Sequence, residues 1–264
     1  MKVWHLSSLL LVGTLAFLIA SNHASAQDKD KKDKKKETKK VEPKKAPEIP
    51  PLTGKSETIK LFNGKDLEGW EGYKDLWSVK DGIIIARNDV PLDVSTYLFT
   101  TRKFTDFRLT FSTRLDKIES MHSGVAFWGK KITPEDKKFD PKTKHGEHTY
   151  LGHLVMFPSG WGLFDLYRRG GAINPSAEIR NVAIKAGKQN EWNDLEVLAQ
   201  GNRIRLVVNG KLALDWRDPE PKLVGEGPIA LQLHSNKKAQ QVEFKGLEVT
   251  TFPEDKLLTV KNAK

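Results

Sequence analysis

From about residue 56 onward the chain alternates apolar and polar positions with the period of two expected of half-buried strands. In the run Phe107-Arg108-Leu109-Thr110-Phe111 the set Phe107, Leu109 and Phe111 points one way, and Arg108 and Thr110 point the other. In the run 204–208 the inward set is Ile204, Leu206 and Val208. Read this way, the pattern predicts strands over 59–62, 76–79, 83–87, 96–100, 107–115, 124–128, 153–157, 162–168, 180–184, 193–199, 204–208, 211–216, 229–233 and 242–251. Asn63-Gly64, Asp81-Gly82 and Asn209-Gly210 are dipeptides that tolerate positive φ in tight turns. No useful length of chain has helical periodicity. Many short strands at regular spacing predict an all-β fold, a β-sandwich or jelly roll of antiparallel sheets over 56–264.

One stretch, 145–169, departs from plain alternation by interleaving histidines, aromatics, an acid and two arginines. A strand ending at Phe157, a turn at Pro158-Ser159-Gly160 and a returning strand would place Asp165, Tyr167 and Arg169 on one face. An acid, a phenol and a guanidinium are costly to bury unpaired. That face is therefore either a polar-ligand surface or an ordinary solvated one. Trp70, Trp77, Trp192 and Trp216, at strand ends, are expected to be structural plugs. Trp128 and Trp161 each sit beside glycine and are candidate platforms for the apolar face of a sugar ring, with core packing as the alternative.

The N-terminus has its own logic. Lys2, an apolar run from Leu6 to Ala20 and the small residues Ala24-Ser25-Ala26 read as a cleaved secretory signal over 1–26, too short for a membrane span. Residues 27–55, rich in Lys and Pro, read as a disordered tether. The net charge of +10 divides as +6 over 1–55 and +4 over the rest, so the domain itself is only weakly basic. Small excess charge and export together argue against nucleic acid as a partner. The chain has no cysteine, which excludes disulfides and a cysteine-borne lipid anchor and suits a bacterial periplasm or cell exterior.

His145, Glu147, His148 and His153 are imidazole and carboxylate groups of the kind that bind zinc or another divalent metal, and His145, Glu147 and His148 form the candidate metal set. Their spacing is not that of the helical H-E-x-x-H motif. No acidic loop supports calcium. There is no G-x-S-x-G elbow for a serine hydrolase. Nor is there an E-x-D-x-E-type strand to supply the paired carboxylates of a classical retaining glycosidase.

LFNGKDLEGW at 61–70, WSVKDGIIIA at 77–86, SGVAFWG at 123–129, and farther on EWNDLEV, NRIRLVVNGKLALDW, GPIALQLHS and VEFKGLEV together resemble the 3-keto-disaccharide hydrolase domain family over nearly all of 58–252. The resemblance implies a concanavalin A-like jelly roll. It also implies action on glycosides oxidised at the sugar 3-position, by cleavage or by hydration of the resulting glycal. A ketone at C3 acidifies the C2 hydrogen, so a base can remove it and the glycosidic oxygen can leave from C1. Asp165 or His153 is the candidate base, and Tyr167 the donor to the leaving group. Arg168, Arg169, Gln232 and His234 are candidate donors to carbonyl or hydroxyl oxygens. A separate sugar oxidase is the implied upstream partner. The chain departs from the family where members often read G-Y-E-V-Q and it reads Gly152-His153-Leu154-Val155-Met156, and where many carry Arg and it has Trp128. Two positions expected to be polar are apolar, so a non-catalytic carbohydrate-binding or envelope-associated module is the rival reading.

Overall fold

The computed structural model describes residues 46–115, 122–136, 146–157, 163–166, 171–173, 182 and 185–261. Residues 44–264 make one compact unit. Its strands are β1 (Glu57–Lys60), β2 (Trp70–Glu71), β3 (Trp77–Lys80), β4 (Ile83–Asn88), β5 (Thr96–Phe104), β6 (Phe107–Leu115), β7 (Ser123–Lys131) and β8 (Tyr150–Phe157). They continue with β9 (Leu163–Asp165), β10 (Gly171–Ile173), β11 (Asn193–Gln200), β12 (Arg203–Val208), β13 (Lys211–Arg217), β14 (Gly227–Leu233) and β15 (Gln240–Thr251). One antiparallel sheet runs β13-β12-β11-β6-β15-β4-β3, with β1 also on β15; the other runs β10-β9-β8-β7-β14-β5-β2.

The alternation read from the sequence sets the core. Phe107, Leu109, Phe111, Ile204, Leu206 and Val208 from the first sheet meet Val125, Phe127, Val155, Phe157, Ile229 and Leu231 from the second in one buried cluster. Edge-to-face rings join the sheets, Phe107 with Phe127 at 5.4 Å and Phe111 with Phe157 at 5.5 Å. The hairpins close as their dipeptides predict. Asp81 and Gly82 have φ of 53° and 73°, and Asn209 and Gly210 have 49° and 81°, the left-handed pairs that two-residue turns require.

Three expectations change. Over 180–184 a strand was expected, but the described residues Val182, Lys185 and Ala186 have helical backbone. The returning strand over 162–168 is shorter, Leu163–Asp165, and is followed by β10. The tether does not run free to residue 55. Ile49 N–H donates to Asn202 Oδ1 (3.1 Å), Asn202 donates to the Pro47 carbonyl (2.7 Å), and Leu52 N–H donates to Asp106 (2.6 Å). The backbone from Pro47 to Leu52 is thus a strap on the sandwich, because its polar groups find buried side-chain partners. At the other terminus, residues 253–261 cross the outer face of the first sheet. There fully buried Glu196 pairs with Arg108 (3.0 Å) and accepts the N–H groups of Leu258 and Thr259.

Candidate carbohydrate-binding cavity

The second sheet is apolar on both faces. Its outer face carries Tyr97, Phe99, Ala126, Tyr150, Leu154, Met156 and Ala230 as a cluster separate from the core. The register explains the clustering, since directly opposed residues on neighbouring strands share a face. Glu71, Phe99, Ala230, Ala126 and Leu154 form one cross-strand row. Tyr97 and Gln232 oppose each other in the next row. A cavity of about 480 Å³ lies over these rows, lined chiefly by Tyr97, Tyr150, Leu154, Met156, Gln232, His122 and His234.

Its floor is fixed by close packing. At Gly124 a Cβ would lie 2.4 Å from Leu154 Cδ1 and 2.7 Å from the Val155 oxygen, so glycine there seats Leu154. Tyr150 is held by its hydroxyl, which donates to the Pro228 carbonyl at 2.7 Å, next to the bulge at which Pro228 is accommodated in an interior strand.

The polar groups gather at one end. β7 and β14 are antiparallel with Leu231 opposite Val125, and continuing that register sets His234 opposite His122. The two imidazoles lie 4.2 Å apart, centroid to centroid. Burial, and secondarily the neighbouring His234, pushes His122 down to about 4, and burial also lowers His234. Both rings are therefore neutral at physiological pH. Gln232 donates its amide N–H to the Tyr97 hydroxyl at 2.9 Å. Burial raises the Tyr97 phenol well above its ordinary value, so it stays protonated.

Of the residues expected at the site, Gln232 and His234 line the cavity, as do Leu154 and Met156, the two apolar departures. His153 does not. It is fully buried on the core side, with Nε2 at 2.5 Å from Asp218 Oδ2 and its ring stacked on Phe127. β-Alternation puts His153 opposite in sense to Leu154, which excludes it from the cavity. Asp165 pairs with His153 in backbone register, while the next residue, Leu166, lines the cavity.

Trp128 is not an exposed platform. A bulge between Phe127 and Lys130 and a positive φ of 52° turn its side chain into the core, where it is 1% exposed and donates to the Thr105 carbonyl at 2.6 Å. Trp161, Tyr167, Arg168, Arg169 and His145 lie outside the described residues. Trp70 and Trp77 are core plugs, whereas Trp192 is half-buried with Lys245 Nζ over its ring at 4.0 Å.

Glu147 and His148 have other described partners, and His145, the third member of the expected metal set, lies outside the described residues. Glu147 accepts from the Tyr73 hydroxyl at 2.9 Å, and His148 packs on Tyr73 (4.2 Å) with Lys131 and Glu71 nearby. Among the described residues no three His, Asp or Glu side chains are grouped as a metal site. Glu71 pairs instead with Lys131 at 2.5 Å, which holds its carboxyl below the usual range. Sequence reasoning missed Tyr97 and His122. Neither stands out until the β7–β14 and β14–β5 pairings are known.

The family model described as a 3-keto-alpha-glucoside-1,2-lyase-like domain matches residues 57–250. The chain belongs to this family. Membership of the family makes this a carbohydrate-active, glycosyl-hydrolase-like domain. No curated protein matches the chain. Similar solved structures include a Parabacteroides distasonis protein classed provisionally as a glycosyl hydrolase, 19% identical over 73% of this chain and 98% of that one, with a TM-score of 0.48. A second from the same organism, classed alike, is 17% identical over 74% and 93%, with a TM-score of 0.46. A Bacillus subtilis carbohydrate-binding module is 14% identical over 68% and 94%, with a TM-score of 0.38. No helix among the described residues is long and apolar enough to cross a membrane.

Proposed function

We propose that this lyase-like domain is exported and cleaves or hydrates 3-keto-glycosides in the cavity on the outer face of its second sheet. The observation that carries the reading is the convergence of Tyr97, Gln232, His122 and His234 over an apolar floor in a chain of this family. In the reaction the neutral imidazole of His122 or His234 accepts the C2 hydron, and the electron pair of the C2–H bond forms an enolate with the C3 oxygen. The C3 carbonyl then re-forms, a C1–C2 double bond appears, and the glycosidic oxygen departs with the C1–O pair and takes a proton. Water adds across the double bond to complete a net hydrolysis. Tyr97 suits donation to the enolate or leaving oxygen, because Gln232 donates to it and its own proton is left for the cavity. The His122–Gln232–His234 end faces the C2–C3 edge of the sugar. Leu154 and Met156 receive an apolar ring face.

Those same two residues favour a second reading, a binder without turnover, because they give the cavity an apolar floor with no acid or amide of their own. The test is incubation of the full chain with a 3-keto-glucoside and with its unoxidised parent, followed by mass spectrometry. Cleavage or hydration of the keto form alone supports the enzyme. Binding without turnover across several linkages supports the module.

A further inference from the structure

Each sheet ends on a short strand, β2 in the second and β3 in the first, and a cleft of about 640 Å³ opens between those two edges. Its apolar walls are Leu67, Trp70, Trp77, Val79 and Leu98, and no described residue lines both this cleft and the cavity on the outer face. Alternation along β5 explains the separation. Leu98 belongs to the core between the sheets, whereas its neighbours Tyr97 and Phe99 belong to the outer cluster. Gly72 keeps the cleft open, since a Cβ there would lie 2.8 Å from Leu98 Cδ1 and 3.3 Å from Trp77 Cδ1.

Trp77 Cδ1 is the ring carbon bonded to Nε1, so the N–H edge of the indole is the edge turned toward Gly72 and the cleft. Trp77 is 3% exposed, yet its Nε1 has no hydrogen-bond partner among the described residues. Trp70, the other indole of the wall, has already donated to the Leu61 carbonyl at 2.8 Å. An indole N–H can only donate, and a buried donor left unmade is disfavoured. The cleft is therefore short of an acceptor.

We infer that this cleft is a second carbohydrate site, which takes a sugar unit bearing a carboxylate, such as a uronic acid. The carboxylate answers the Trp77 N–H with a charge-assisted bond. The charges at the mouth select the acid. Glu71 is paired with Lys131 at 2.5 Å, and Asp66 accepts from the Asn63 amide at 2.7 Å and the Glu68 N–H at 3.0 Å. What the cleft has left over is the pair of exposed ammonium groups of Lys65 and Lys74. The apolar walls suit the C–H face of a pyranose, and one buried donor among apolar walls is the usual make-up of a small-molecule site. A neutral sugar would meet the indole but leave both lysines unused. The site gives a carbohydrate-active domain a grip on acidic glycan that does not depend on the reaction proposed for the outer cavity.

The experiment is an NMR titration of the full chain, labelled with ¹⁵N at the tryptophan indoles, with glucuronate, glucose and acetate as separate probes. The Trp77 indole signal is the one missing from Trp77→Phe. The expected result is a saturable shift of that signal with glucuronate and none with glucose or acetate at the same concentration. Lys65→Ala and Lys74→Ala together, both on the surface and so without effect on folding, should weaken glucuronate binding about threefold to tenfold, and added salt should weaken it further. Tyr97→Phe, a change in the outer cavity, should leave the shift in place. No movement of the Trp77 signal at about 50 mM glucuronate, where a millimolar site is filled, overturns the site. An equal shift with glucose overturns the selection of an acid, and an equal shift with acetate overturns the sugar. A shift abolished by Tyr97→Phe would assign the binding to the outer cavity and overturn a second site. Failure of keto-sugar turnover, which would sink the proposed function, moves none of these readouts.

Discussion

Gln232 spends its amide N–H on the Tyr97 hydroxyl, 2.9 Å away, and both side chains are almost completely buried at the cavity wall. The pair joins β14 to β5 through directly opposed positions, so it fixes the floor and the polar end at once. Tyr97→Phe leaves the Gln232 N–H without its acceptor and removes the phenolic proton from the cavity. The expected cost is about 1–3 kcal/mol in denaturant unfolding, together with weaker sugar binding. Unchanged binding would show that Tyr97 is a wall and not a donor.

His153 and Asp218 form a fully buried pair between the sheets. Asp218→Ala strands the imidazole beside Phe127 and Trp128 and is expected to lower stability by about 3–5 kcal/mol. Its effect should appear in the melting curve. The variant, assayed well below its melting temperature, should keep sugar affinity within a factor of about two, equivalent to less than 1 kcal/mol. A selective loss of turnover with stability intact would instead return His153 to the chemistry.

Gly124→Ala tests how tightly the floor is built. The added methyl meets the side chain of Leu154, which can shift, and the carbonyl oxygen of Val155, which cannot do so without moving a strand. A loss of about 1–3 kcal/mol is expected, with distorted ligand binding. Full tolerance would mean the floor is looser than the packing implies.

Glu196 ties the C-terminal segment down by accepting from Leu258, Thr259 and Arg108. Glu196→Ala should cost about 3–5 kcal/mol, since it leaves the Arg108 guanidinium buried without its partner. Faster amide exchange at Leu258 and Thr259 is the local signature. In the same way Asp106→Ala should loosen the strap at Leu52, and limited proteolysis of the parent chain should stop near Pro47, not near residue 55.

Much of the fold is legible in the sequence because the alternation of a strand depends on its own residues alone. Phe107, Leu109 and Phe111 reach the core as their alternation requires, and Asp81-Gly82 and Asn209-Gly210 make the turns their chemistry dictates. Alternation failed at Trp128 because a bulge reverses the parity, and nothing in the seven residues 123–129 announces positive φ at a tryptophan. The strap at 47–52 is not legible in the sequence because its partners, Asp106 and Asn202, are remote along the chain. Gln232 and His234 could be named from a motif on one strand. Tyr97 and His122 could not, since their place at the site depends on β14 lying between β5 and β7.

The central claim is that a hydron leaves C2 of a 3-keto-sugar in this cavity. The most direct measurement is mass spectrometry of the sugar released from a 3-keto-glucoside by the full chain in D₂O, against an enzyme-free control. The account predicts that the hydrated product carries one solvent deuteron on C2, and that a product stopped at the glycal stage has lost the C2 hydron altogether. Release of a sugar that retains its original C2 hydron would contradict it, because the bond would then have been cut by direct displacement at C1.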